Sequence, residues 1–144
     1  MSQPVVIKDG TGGDFRAHVT SIGQLVVAPF AYEETEFQVL DTTATAYNFY
    51  PPKTGKQFVI TGVRAKADRD VSTTTDAEVV IYEADSATET TVSKTLHQEA
   101  MVRGESVTLM PLNILVNVGK WVNAKTSDDD IHMSIMGYYI PAIE

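Results

Sequence analysis

The amino-acid sequence predicts an all-β protein. Thr and Val each occur 17 times in 144 residues, against only 6 Leu. β-branched side chains lose freedom in helices and pack well on pleated sheets, so this bias favours strands. Apolar and polar residues alternate in Phe15-Arg16-Ala17-His18-Val19-Thr20 and in Ile131-His132-Met133-Ser134-Ile135. A period of two turns one set of side chains to a core and the other to solvent. Turn-forming clusters recur between such runs, at Asp9-Gly10-Thr11-Gly12-Gly13, Ser21-Ile22-Gly23, Pro51-Pro52-Lys53-Thr54-Gly55, Arg103-Gly104 and Val118-Gly119.

The first candidate strands cover 4–8, 14–20 and 24–28. Across Pro29-Phe30-Ala31-Tyr32-Glu33-Glu34-Thr35-Glu36 the alternation lapses and acidic residues gather. Residues 1–35 therefore read as an N-terminal β-hairpin or arm module, and 36–144 as the main domain. The first 28 residues are too few to enclose a core. They must pack on the main domain or on another chain.

The main domain holds eight candidate strands, at 36–42, 45–50, 56–68, 77–84, 92–98, 105–117, 120–126 and 131–140. Eight short strands at regular spacing suit a jelly-roll β-sandwich. Two of them change phase. In Phe58 to Ala67 the apolar set moves from even to odd positions around Gly62, as a bulge with one inserted residue requires. In Val107 to Val116 it moves from odd to even across Pro111, which cannot donate to a ladder and marks a kink or an edge. The one helical rival is Thr91 to Val102, where Val92, Leu96 and Ala100 fall on one helical face.

Net charge is −8, with a pI near 4.7. Such a surface repels phosphate backbones, so neither nucleic acid nor an anionic membrane is an expected partner. No apolar run reaches the ~20 residues that cross a bilayer. Met1-Ser2-Gln3-Pro4 lacks the basic flank and apolar stretch of a signal peptide, so synthesis in a cytoplasm without export is expected. There is no Cys, hence no disulfide, thiol nucleophile or Cys-bound zinc.

Chemical motifs are incomplete. His18, His97 and His132 lie in separate strands, and no ligand pair stands at short spacing. His97-Gln98-Glu99 begins like a zinc-deaminase signature but the Cys pair is missing. At Gly55-Lys56, Gln57 stands where a phosphate loop needs Ser or Thr. Gly10-Thr11-Gly12-Gly13 reads as a turn. Asp68-Arg69-Asp70 fails the calcium-loop pattern, with Thr73 and Val79 at the places of its Gly and Glu. Asp76 and Asp128-Asp129-Asp130 read as solvated loop carboxylates. No catalytic, cofactor or metal residue is expected. Trp121, Tyr138 and Tyr139, in late strands, could form a stacking platform for a sugar or a partner chain.

The order of segments resembles structural proteins of tailed-bacteriophage virions. Val5-Val6-Ile7-Lys8-Asp9-Gly10, Phe15-Arg16-Ala17-His18-Val19 and Gly23-Gln24-Leu25-Val26-Val27 are similar to an opening found on such proteins. The remainder resembles small jelly-roll capsid decoration, or cement, proteins. The residues that carry this are Phe58-Val59-Ile60-Thr61-Gly62-Val63, Glu78-Val79-Val80-Ile81-Tyr82-Glu83, Gly119-Lys120-Trp121-Val122 and Gly137-Tyr138-Tyr139-Ile140-Pro141. The resemblance implies a homotrimer on the outer surface of the capsid, with the major capsid protein as partner. It implies contact through the N-terminal module, with Val5, Ile7, Phe15, Arg16, Val19, Leu25 and Val27 as interaction residues; Trp121, Tyr138 and Tyr139 stand as interaction candidates on their residue type alone. Related jelly rolls also serve in phage tails and receptor binding, which is the alternative expectation.

Overall fold

The computed structural model describes the backbone of residues 5–8, 14–19 and 25–26, and residues 33–68 and 76–142 with their side chains. The chain divides into two units, Met1–Phe30 and Ala31–Glu144.

The first unit is a three-stranded antiparallel sheet of β1 (Val5–Lys8), β2 (Asp14–Val19) and β3 (Leu25–Val26), in that order. Its register pairs Val5 with Ala17, Ile7 with Phe15 and Val19 with Leu25. Residues opposite one another share a face. Positions 5, 7, 15, 17, 19 and 25 therefore make up one alternate set of the ladder, and all six are apolar in the sequence. Arg16 belongs to the other set, opposite Val6. The side chains of these residues, and Val27 altogether, lie outside the described residues.

The second unit is a β-sandwich of nine strands with no helix among the described residues. They are β4 (Glu34–Leu40), β5 (Tyr47–Tyr50), β6 (Lys56–Ala67), β7 (Ala77–Ala84), β8 (Lys94–Met101), β9 (Ser106–Leu109), β10 (Ile114–Leu115), β11 (Trp121–Thr126) and β12 (Ile131–Pro141). One sheet runs β10-β6-β12-β4, with β9 also on β6, and the other runs β5-β11-β7-β8. The chain changes sheet at every connection except β7 to β8 and β9 to β10.

Both phase changes have structural causes. Met136 pairs with Gly62 but Gly137 pairs with Ile60, so Thr61 is the inserted residue of a bulge. That insertion lets Phe58 and Ile60 on one side of it, and Val63, Ala65 and Ala67 on the other, all enter the core. The expected continuous strand 105–117 is instead broken into β9 and β10, with a cis Met110–Pro111 bond between them. The break still leans on β6, because Leu112 N–H donates to the Thr61 carbonyl at 2.6 Å. The helical rival fails. Residues 94–101 pair antiparallel with β7, Ala77 opposite Met101, around a bulge at Ile81/Tyr82.

The core takes side chains from both sheets: Leu40, Ile60, Met133 and Ile135 from one, and Val79, Ile81, Met101 and Val122 from the other. Truncating a fully buried Ile such as Ile135 to Ala costs about 2–5 kcal/mol. Aromatic rings close one end, with Tyr50 stacked on Phe58 at 3.9 Å and Tyr139 edge-on to Phe58 at 4.9 Å. Tyrosine hydroxyls then stitch the sheets together. Tyr50 Oη, on β5, donates to the Ile135 carbonyl at 2.6 Å, lies 3.1 Å from the Glu34 carbonyl, and accepts the Glu36 N–H at 3.0 Å. Tyr47 Oη accepts the N–H groups of Asp41 and Thr42. These bonds tie the start of β4 and the turn after it to β5 of the other sheet.

Candidate interaction surface

The outer faces of the two sheets differ in how they are covered. On the β5-β11-β7-β8 sheet, the residues that point away from the core include Tyr82 and Asn123, which are paired in register, yet both have 0% exposure. The connection from β7 to β8 covers them. Asn123 Nδ2 points at the carbonyls of Ser86, Ala87 and Glu89 at 3.0–3.3 Å, and its Oδ1 accepts from Asn48 Nδ2 at 3.0 Å. Tyr82 Oη donates to the Glu89 carbonyl at 2.7 Å, and Lys125 Nζ donates to the Thr90 carbonyl. Burial raises the Tyr82 hydroxyl above its ordinary pKa. Beside this loop Glu83 is buried and accepts both the backbone N–H and Nδ2 of Asn117, at 2.9 and 3.0 Å.

On the β10-β6-β12-β4 sheet the outward set is open. His132 stands between Val39 and Lys66, and Ser134 between Phe37 and Arg64. Thr108 and Ser106 of β9 flank Arg64 and Lys66 on the far side. Together Phe37, Arg64, Lys66, Ser106, Thr108 and His132 line a shallow groove of about 370 Å³. Phe37 is 56% exposed and meets the His132 ring edge-on at 6.0 Å. His132 Nε2 lies 3.6 Å from Asp68 Oδ2. Arg64 and Lys66 are exposed and have no ion-pair partner among the described residues.

Further along the same face, Tyr138 and Leu115 both pair with Val59. Met110 and Met136 lie over Gly62, where a Cβ would come within 2.7 and 2.9 Å of them. Four of the six exposed large apolar side chains among the described residues, Phe37, Val39, Met110 and Leu115, are thus on this face.

The three late aromatics do not meet. Trp121 is half-buried on β11, opposite Ala84 of the β7 sheet. Tyr138 is half-buried on the outward face of the other sheet. Tyr139, the next residue, turns inward and is 7% exposed. Its hydroxyl donates to the Pro51 carbonyl at 2.6 Å, Lys53 Nζ sits 3.7 Å above its ring, and burial pushes its pKa up to about 12. No common stacking platform is formed by these three.

The acidic loop also departs from expectation. Asp128 is buried rather than solvated, and its Oδ1 accepts the Asp129 N–H at 2.8 Å. A hydrogen bond with Asp128 raises the Asp129 carboxyl above the usual carboxylate range. Asp70 and Thr73 lie outside the described residues. His97 meets Glu99 at 3.3 Å on β8, and Gly55 supplies a positive φ of 68° to the turn before β6.

No known family matches the sequence, and no curated protein matches it. Among solved structures the chain is similar to a protein of the disulfide-linked pili that form Bacillus endospore appendages. The identity is 11% and the TM-score 0.45, over 78% of this chain and 89% of that one. It is similar to a chain of the cyanophage Pam1 capsid at 18% identity and TM-score 0.41, covering 83% and 96%. It is similar also to a chain of the capsid of Helicobacter pylori bacteriophage KHP30, at 13% and 0.40, covering 82% and 94%.

Proposed function

We propose that this chain is a bacteriophage virion component, a capsid decoration or cement protein. On this reading it binds the outside of the head as a homotrimer and ties major capsid protein subunits together after synthesis in the host cytoplasm. The observation that carries the reading is the N-terminal sheet. Its register collects six apolar positions into one alternate set. Three strands within 30 residues cannot enclose them, so another surface must cover that set. A neighbouring capsid subunit supplies such a surface, and backbone pairing along β1 or β3 would add affinity.

The body supports the same reading. Counting β9 and β10 as one interrupted strand, each sheet has four strands, and their interleaved order supports the jelly-roll reading. A ligand that binds only the assembled lattice stabilises it by mass action, and three linked copies add avidity to modest single contacts.

The test is co-sedimentation with purified capsids of the full chain and of a chain lacking residues 1–30. The full chain should pellet with capsids and the shortened chain should stay in the supernatant with its β-sheet circular dichroism intact. Equal capsid binding by both, or none by the full chain, would refute the proposal.

A further inference from the structure

We infer that the open outer face of the β10-β6-β12-β4 sheet is a docking surface for a second copy of this chain, with Phe37 and Val39 as apolar anchors and Arg64 and Lys66 as charge-matching groups. The inference rests on the assembly reading above and names the surface that self-assembly would use.

Charge is the first argument. The protein carries 19 carboxylates against 11 Lys and Arg. Yet the only titratable groups lining this groove among the described residues are Arg64, Lys66 and His132. Asp68 faces His132 from the end of β6, and neither Arg64 nor Lys66 has a carboxylate partner among the described residues. A face of this sign on an acidic chain is complementary to the rest of that chain. The acidic partner present at equal concentration is another copy.

Apolar exposure is the second. A lone exposed Phe needs no explanation, but Phe37, Val39, Met110 and Leu115 are exposed on one sheet face, with Arg64 and Lys66 on β6 between the two flanking sides, and this mixture of apolar and cationic groups suits an interface.

The sign pattern also fixes the symmetry class. A two-fold contact would press the face against itself and set Arg64 and Lys66 against their own copies. The face must instead meet a carboxylate-bearing surface elsewhere on its neighbour. Such a head-to-tail contact gives a ring of three or more where its rotation closes and an open filament where it does not, and the homotrimer reading above selects the ring.

The full-length protein is followed by analytical ultracentrifugation over a wide concentration range, at low and high salt. A closed ring larger than a dimer is expected, dissociating as salt rises. Arg64→Glu/Lys66→Glu and, separately, Phe37→Ser should sediment as monomers while keeping the wild-type circular dichroism, because all three positions are exposed. In the wild-type ring, carbodiimide should join Lys66 to carboxylates of an isotope-labelled second copy.

A wild type that stays monomeric throughout, a discrete dimer, or variants that assemble like the wild type would each overturn the inference. The two readings fail separately. A wild-type monomer that still pellets with capsids removes this surface and the trimer but leaves the capsid-binding role. A ring that ignores capsids removes only the virion role.

Discussion

The two outer faces of the sandwich start from the same strand alternation and end differently. On β7 and β11 the outward residues Tyr82 and Asn123 lie under the chain's own loop, and every polar atom of Asn123 has a partner. On β4, β6 and β12 the outward residues Phe37, Arg64, Lys66 and His132 line an open groove. Period-two patterning decides which way a side chain points. Whether that direction ends in solvent depends on what the connections do afterwards. The covered face contributes to stability, and the open one is available for contact.

This contrast can be broken from several sides. The largest effect should come from beneath the open sheet, at the bulge. A Cβ on Gly137 would stand 2.1 Å from the Val59 carbonyl oxygen and 2.6 Å from Phe58 Cζ. Since backbone cannot yield as a flexible side chain does, Gly137→Ala should lower unfolding free energy by about 3 kcal/mol or more, read from urea titrations. Next comes the covered face. Asn123→Ala strands the Asn48 amide and the loop carbonyls, and should cost about 2–3 kcal/mol in the same titration. A loss under about 0.5 kcal/mol would mean that the loop does not seal this face.

Alkaline pH gives a smaller, graded effect. Burial raises the Tyr50 and Tyr139 hydroxyls above the ordinary value near 10. The folded state therefore holds these protons more tightly than the unfolded chain does. Their contribution is whole below about pH 10 and is lost as pH climbs through about 12, where Tyr139 ionises. Thermal melting across that range should show a falling Tm, and Tyr139→Phe should make the fall shallower. The smallest effect belongs to the open face. Arg64→Glu should change monomer stability by no more than about 0.5 kcal/mol. A larger loss would show that this face serves the fold.

Much of the architecture was legible in the residues. The bulge showed itself at Gly62 because an inserted residue must shift the apolar phase, and Pro111 announced the interruption that separates β9 from β10. Residues 94–101 could be read as strand, with the helical pattern of Val92, Leu96 and Ala100 as a short-range coincidence that pairing with β7 overrides. The pairing partners were not legible, since each depends on contacts far apart in sequence. For the same reason the burial of Asn123 and Glu83 was not legible, since it depends on the path of the 85–93 connection and of Asn117. The open groove was half visible. Arg64 and Lys66 announce an outward cationic pair, but bringing Phe37 and His132 beside them takes the β4-β12-β6 register. Tyr138 and Tyr139 could not share a platform, because neighbours on a strand face opposite ways.

The Tyr50 hydroxyl has a mechanical consequence. Tension applied at the start of β4 enters the sandwich at Glu34 to Glu36. There the hydroxyl grips Glu36 N–H and the Ile135 carbonyl crosswise to the ladder. A pull there thus meets a transverse rivet in addition to the ladder pairs that join β4 to β12, so the leading end of this edge strand is held from two directions.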